Sequence, residues 1–279
     1  MTALVSLAGV TFTYAGAARP ALSGVSLDVT AGEIVLVGGA AGAGASTLLL
    51  VATGLAPRLV GGRLTGARTV AARRCGIVFA RPWTQLTGLC STVLDEVAFG
   101  PASAGAPRDE VLAAASRALD RLGVAHLARR DPSHLSGGEL QRVVVAAALA
   151  LDPDLLALDD PAAELDPAAA DALYAMLPSL AATGTAILLA TPDVRRAAGV
   201  ATRAIVLERG AVVADGRPAA VLPVTEVGAL ARAAGCPVPY PYDVPALLAR
   251  VAPDASRRAH DTSDAPPAGS GPDTSGTIR

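Results

Sequence analysis

Apolar and polar positions alternate over residues 4–30, with turn signals at Gly16 and Pro20, and that period predicts antiparallel strands. The pattern then changes. Ile34-Val-Leu-Val-Gly is a short β-branched run closed by glycine; Gly39, Gly42 and Gly44 follow among small residues, and Ser46-Thr47 opens an apolar helix running to residue 56. Residues 34–57 carry no charge, a length that could span a bilayer. The punctuation instead predicts a buried strand, a turn and a buried helix. Residues 107–151 read as mostly helical. Apolar residues recur at helical spacing over 109–122, and Arg129-Arg130-Asp131-Pro132 breaks the pattern. A buried strand is expected at 155–158, a helix at 168–180 and a second buried strand at 186–190. Residues 204–207 and 211–214 suggest a hairpin around Arg209-Gly210. Strands alternating with helices imply an α/β fold with a mainly parallel core sheet. Residues 218–250 read as helical segments broken by Pro237, Pro239 and Pro241, and from Pro253 onward almost nothing is available to bury. No internal repeat is apparent.

Composition sharpens this picture. The chain has 279 residues, 52% hydrophobic and 17% charged, with a mean hydropathy of +0.45. That supports a sizeable core and excludes a disordered protein. Aromatics are only 3%, so the core must be built from Ala, Val and Leu. The sequence contains no Lys and no Asn, and the formal net charge is -2. A nucleic-acid partner is therefore not expected, because the basic footprint is missing. Cys75, Cys90 and Cys236 form no CxxC pair and no zinc spacing, which suits a reducing compartment. The first residues, MTALVSLAGVTF, lack the basic start of a signal peptide.

Four segments concentrate the candidate chemistry. Gly39-Ala-Ala-Gly42-Ala-Gly44-Ala45-Ser46-Thr47 fits the phosphate-loop spacing GxxxxGK[ST], with Ala45 where lysine is expected. Glycines there let backbone N–H groups curl around phosphates at a helix N-terminus. The same segment also reads as a plain strand-to-helix turn. Leu135-Ser136-Gly137-Gly138-Glu139-Leu140-Gln141-Arg142 contains a capping box, Ser136 with Glu139, which accounts for those two residues but not for the paired glycines. The apolar run at 155–158 ends in Asp159-Asp160-Pro161, carboxylates suited to an Mg²⁺ ligand followed by a water-activating base. Ala163-Glu164-Leu165-Asp166-Pro167 follows at once.

In this order the segments resemble the ATP-binding subunits of ABC transporters over residues 4–217. LSGGE-LQR is similar to their signature, LLALDDP to their Walker B motif and AELDP to their D-loop. Val93-Leu94-Asp95-Glu96-Val97-Ala98-Phe99-Gly100-Pro101, Val78-Phe79 followed by Gln85-Leu86, and residues 227–251 resemble the energy-coupling-factor branch, which imports vitamins and transition-metal ions. The resemblance implies a P-loop NTPase fold of ABC type over 1–217. A mainly parallel core sheet would be joined by an antiparallel β subdomain and a helical subdomain at about 81–145. A C-terminal helical extension, resembling a dimerising element, would follow at 218–252, and a disordered tail at 253–279. ATP and Mg²⁺ are the implied cofactors. Tyr14 stands where the family stacks adenine, Gly39, Gly42, Gly44, Ala45, Ser46 and Thr47 form the phosphate loop, and Ser46 and Asp159 are the implied metal ligands. Family members pair head to tail, so Ser136, Gly137, Gly138, Glu139 and Asp166 would serve the ATP of a second subunit. A transmembrane subunit is the other implied partner, contacted by the segment holding Trp83, which puts the chain peripherally on the cytoplasmic face of the membrane.

The departures from the family pattern fall on one side. The phosphate-binding Lys is Ala45, the Q-loop Gln is Ala80, the catalytic Glu is Asp160 and the switch His is Pro192. Compositional bias against Lys would favour Arg in a charged site, not Ala. A charge-assisted phosphate contact is worth roughly 1.5–3 kcal/mol. A carboxylate misplaced by about 1 Å can lower a rate on the order of a hundredfold. Asp160 thus remains the only catalytic candidate, and hydrolysis at this chain's own loop is not expected. The elements offered to a partner are intact, which predicts a heterodimer with a consensus ATP-binding subunit. The alternative is a pseudo-ATPase interaction protein that binds no nucleotide. His126, His134 and His260 are scattered and suggest no metal site, and Arg195-Arg196 is expected to be solvated.

Overall fold

A computed structural model describes residues 3–222. In chain order, β1 (Ala3–Thr13), β2 (Leu22–Thr30), β3 (Ile34–Gly39), α1 (Ala45–Ala52), α2 (Leu55–Arg58), β4 (Arg63–Val70) and β5 (Cys75–Val78) come first. Three helices follow, α3 (Val93–Ser103), α4 (Arg108–Arg121) and α5 (Gly137–Ala150). The order then alternates through β6 (Leu155–Asp159), α6 (Pro167–Ala182), β7 (Ala186–Ala190), α7 (Val194–Ala198), β8 (Arg203–Glu208), β9 (Ala211–Gly216) and α8 (Pro218–Val221).

The strands form two sheets. A three-stranded antiparallel sheet has the order β2-β1-β4, and a six-stranded mixed sheet has the order β5-β6-β7-β3-β8-β9. All pairings of the larger sheet are parallel except β8 with β9. β6 and β7 are buried along their whole length, and β3 is buried except at Gly39. That is why their sequences are continuous apolar runs rather than alternating ones: helices cover both faces of a parallel sheet. The expected α/β fold, with an antiparallel subdomain and a helical subdomain, is therefore present.

Register sets the working edge. Val37 of β3 and Asp159 of β6 both align with Ala190 of β7, so β6 and β7 end level and β3 runs two residues further, to Gly39, before it turns into the phosphate-loop segment. Ligands of such sheets bind beyond the carboxyl ends of the strands. The phosphate-loop segment, Asp159-Asp160 and Thr191 all emerge there.

Two details depart from the sequence expectation. The helix after the phosphate loop ends at Ala52, not at residue 56, because Gly54 takes a left-handed conformation (φ 82°) and Thr53 returns its hydroxyl to the Leu49 carbonyl at 2.8 Å. β4 was not anticipated. Its sequence, RLTGARTV, is exposed or half-buried throughout and so shows no apolar alternation, yet it pairs with β1 from Val5↔Val70 to Thr13↔Arg63. Pro218–Val221 forms a single helical turn. The rest of the expected extension and the expected tail lie outside the described residues. Among the described residues no helix is long and apolar enough to cross a membrane.

Gln141 stands out in α5. It is fully buried, and among the described residues neither Nε2 nor Oε1 has a hydrogen-bond partner. An unsatisfied buried polar group costs about 1–3 kcal/mol. Gln141→Leu, of similar volume, is expected to raise the unfolding free energy by that amount, seen in urea unfolding as a higher midpoint with an unchanged m-value.

Candidate functional site

The loop after β3 is shaped by its neighbours. Gly44, the N-cap of α1, has φ 109°, and a Cβ there would lie 2.6 Å from the Ala21 carbonyl oxygen. A Cβ on Gly39 would lie 2.6 Å from the Leu207 carbonyl oxygen. Glycine is therefore required at both ends of the loop whether or not a ligand is bound. The carbonyl of Ala43 accepts from the Gly210 N–H at 2.9 Å, so the tip of the β8–β9 hairpin buttresses the loop from below. No side chain caps α1, which leaves its first-turn N–H groups available to an anion. Ala45 is half-buried at the start of that turn and offers no charge.

The carboxylates stand beside this turn. The Ser46 hydroxyl donates to Asp159, which is 7% exposed. Burial pushes the Asp159 carboxyl up to about 6 against the opposing Ser46 bond, and Asp160 adds to the rise. A hydroxyl and a carboxylate are hard oxygen donors that fit Mg²⁺. Among the described residues no group of three or more His, Cys, Asp or Glu side chains could hold a metal. The protein would thus supply part of a shell that phosphate and water oxygens complete.

Asp160 has φ 49°, and its N–H donates to the Ala190 carbonyl at 2.7 Å. Its side chain is held in a chain of hydroxyls. Buried Tyr174 donates to Thr191 at 3.1 Å, and Thr191 donates to Asp160 at 3.3 Å. The Asp193 N–H also donates to the Thr191 hydroxyl, at 3.1 Å. One proton given and two lone pairs filled saturate Thr191. Burial, with Asp193 nearby, raises the Asp160 carboxyl above its ordinary range, and burial drives the Tyr174 phenol up to about 12. Pro192 is exposed and carries no titratable ring. Arg196 is not simply solvated as expected: it bridges Asp171 on α6 (2.5 Å) and Asp193, tying the segment after β7 to that helix.

Other residues take their own places. The Tyr14 hydroxyl bonds Thr47 Oγ1 at 3.0 Å, and its ring meets Phe12 edge-on at 4.9 Å, so Tyr14 lies over the start of α1. At Ala80 the neighbouring backbone is clasped by Gln85, whose amide accepts from the Phe79 N–H (3.0 Å) and donates to the Phe79 and Arg81 carbonyls (both 3.2 Å). Ser136 and Glu139 form the full capping box of α5, and Asp166 caps α6 by accepting from the Ala169 N–H at 2.9 Å. The structure thus brings Tyr14, the loop residues 39–47, Asp159 and Asp160 to one edge. Ser136, Gly137, Gly138 and Glu139 gather at the start of α5, with Asp166 on the segment that crosses them. Sequence reasoning missed Tyr174 and Thr191; a lone Tyr on an apolar helix face carries no signal that its hydroxyl reaches the site.

The chain matches the ABC transporter family model over residues 22–163. It is 39% identical to a nickel import ATP-binding protein, NikO, of Rhodobacter capsulatus, covering 80% of this chain and 92% of that one. It is 35% identical to the energy-coupling factor transporter ATP-binding protein EcfA of Methanothermobacter thermautotrophicus, covering 77% of this chain and 71% of that one. Its fold superposes on cbiO1 from Clostridium perfringens, described as part of the ABC transporter complex cbiONQ. The TM-score is 0.68 and the identity 28%, over 81% of this chain and 93% of that one.

A pH prediction follows from Asp159. Its folded-state carboxyl sits above the ordinary 3.8, so the stability it contributes in neutral form is lost as pH rises from 3.8 through about 6. Asp159→Asn is expected to stabilise the Mg²⁺-free chain at pH 7.5 by about 1–3 kcal/mol. That gain should vanish below pH 4, as measured by denaturation across pH.

Proposed function

The chain belongs to the ABC transporter family as an ATP-binding subunit, and from that premise we propose that it couples energy in an energy-coupling-factor type importer while its own ATP site is degenerate. One observation carries this assignment. The residues that would act on the chain's own nucleotide are replaced (Ala45, Ala80, Asp160, Pro192), while those offered to a partner's nucleotide (Ser136, Gly137, Gly138, Glu139, Asp166) are kept. Random decay would not sort itself this way. The partner is a consensus ATP-binding subunit that carries out hydrolysis with the signature of this chain.

The geometry is consistent with weak nucleotide binding. The loop backbone, the open first turn of α1 and the Ser46–Asp159 pair support Mg²⁺-nucleotide contacts. Ala45 removes a phosphate contact worth about ten- to a hundredfold in affinity. Asp160 is one methylene shorter than the family's Glu and is engaged by Thr191, so it is poorly placed to activate a water.

The segment that follows β5 supports a membrane partner. Trp83, Leu89 and Phe99 are 52%, 79% and 40% exposed, in a chain with few aromatics to spend on its surface. Large exposed apolar side chains mark docking surfaces, and Trp is a frequent anchor. A transmembrane subunit docks there, holding the chain peripherally on the cytoplasmic face. The nickel named for the Rhodobacter capsulatus relative points to a transition-metal ion as cargo.

The test is capture of the tagged chain from native membranes in mild detergent, with all co-purifying proteins identified. A second ATP-binding protein with intact Lys, Gln, Glu and His, together with a membrane subunit, is the expected result. Recovery of this chain alone from the soluble fraction would overturn it and favour a pseudo-ATPase. For the isolated chain, Ala45→Lys is expected to tighten Mg²⁺-ATP binding about ten- to a hundredfold by calorimetry. Hydrolysis should remain slow, because Asp160 and Pro192 are unchanged.

A further inference from the structure

The segment between β6 and α6 turns twice. The Ala163 N–H donates to the Asp160 carbonyl at 3.2 Å and the Leu165 N–H to the Ala162 carbonyl at 3.0 Å. Asp166 then caps α6, so the path over 160–166 is fixed at both ends. That path crosses the start of α5. A Cβ built on Gly137 would lie 3.0 Å from Glu164 Oε2 and 3.6 Å from Glu164 Cβ. A Cβ on Gly138 would lie 3.3 Å from the Glu164 carbonyl oxygen. Neither glycine has a positive φ, so their smallness serves this close approach and not a turn.

The side chain above them is an anion. At the start of α5 the Glu139 N–H is taken by the Ser136 hydroxyl and the Leu140 N–H by the Ser136 carbonyl. The N–H groups of Gly137 and Gly138 belong to the set that a helix leaves unsatisfied. A carboxylate beside such donors is electrostatically favoured, as any anion would be. Glu164 is exposed, and among the described residues its carboxylate makes no ion pair and no hydrogen bond to the Gly137 or Gly138 N–H, so it stands close beside the turn without being locked to it.

We propose that Glu164 is a built-in competitor for the phosphate that the Ser136-Gly137-Gly138 turn receives, an internal anion that must swing away before a partner's ATP can be enclosed. This rests on the reading that the turn serves a partner's nucleotide. It makes closure more demanding of ATP than the turn alone would be. An exposed carboxylate at a helix N-terminus sets the scale, about two- to fivefold in the ATP concentration needed.

The experiment uses the whole complex of this chain with its catalytic and membrane subunits, and reads the half-saturating ATP concentration for hydrolysis. Glu164→Ala and Glu164→Gln are both expected to lower it about two- to fivefold at low salt, with the difference from wild type shrinking at high salt. An unchanged or raised value overturns the proposal, since Glu164 would then be inert or would assist the partner's site. A shift with Ala but not with Gln also overturns it, because the effect would come from shape and not charge. Ser136→Ala separates the two levels. If it slows hydrolysis strongly while Glu164 variants are silent, the donated turn stands and the competitor falls. If Ser136→Ala is itself silent, the reading beneath the proposal fails and takes the proposal with it.

Discussion

The register of three buried parallel strands fixes everything at the working edge. Val37, Ala190 and Asp159 lie in line across the sheet, so β6 and β7 end level and β3 passes them by two residues, to Gly39. A one-residue slip in any of them would exchange its two buried faces and carry its terminal residues out of line. The apolar runs specify burial, and the polar residue that ends β6 marks where burial stops. Asp159 is therefore held at the sheet edge by backbone pairing before any ligand is considered, and its desolvation is a result of that position. The same register delivers the phosphate loop and Thr191 on either side of it.

Polar groups at this edge are largely satisfied from within. Thr191 has no bonding capacity left after Tyr174, Asp160 and Asp193. Gln85 spends its amide on the backbone around Ala80. Arg196 holds the segment after Pro192 against α6.

Much of this was legible in the sequence because the signals were local. The loop glycines, the capping box and the buried strand ending in Asp159 each follow from a spacing rule, and the hairpin around Arg209-Gly210 follows from its turn. The misses have physical causes. β4 has one exposed face and one only half-buried, and it owes its existence to pairing with β1, which no local pattern encodes. Arg196 reads as a surface residue until folding brings Asp171 to it. Tyr174 reads as core, and it is core, yet its hydroxyl is the one polar atom that reaches the site. Glu164 over Gly137 is likewise a contact between segments, invisible to any motif.

The contact between Gly210 and Ala43 has a consequence for the order of events during synthesis. The phosphate loop lies near the start of the chain, but the N–H that supports its Ala43 carbonyl belongs to a hairpin made near the end of the nucleotide-binding region. β7, which separates β3 from β6, is also made late. Contacts so distant in sequence carry a high loop-closure cost and form slowly. A nascent chain still short of Gly210 holds β3 and α1 without the elements that complete their surroundings. The loop therefore reaches its final shape only once nearly all of the described fold has left the ribosome, and a chain that stalled earlier would expose its most apolar strands.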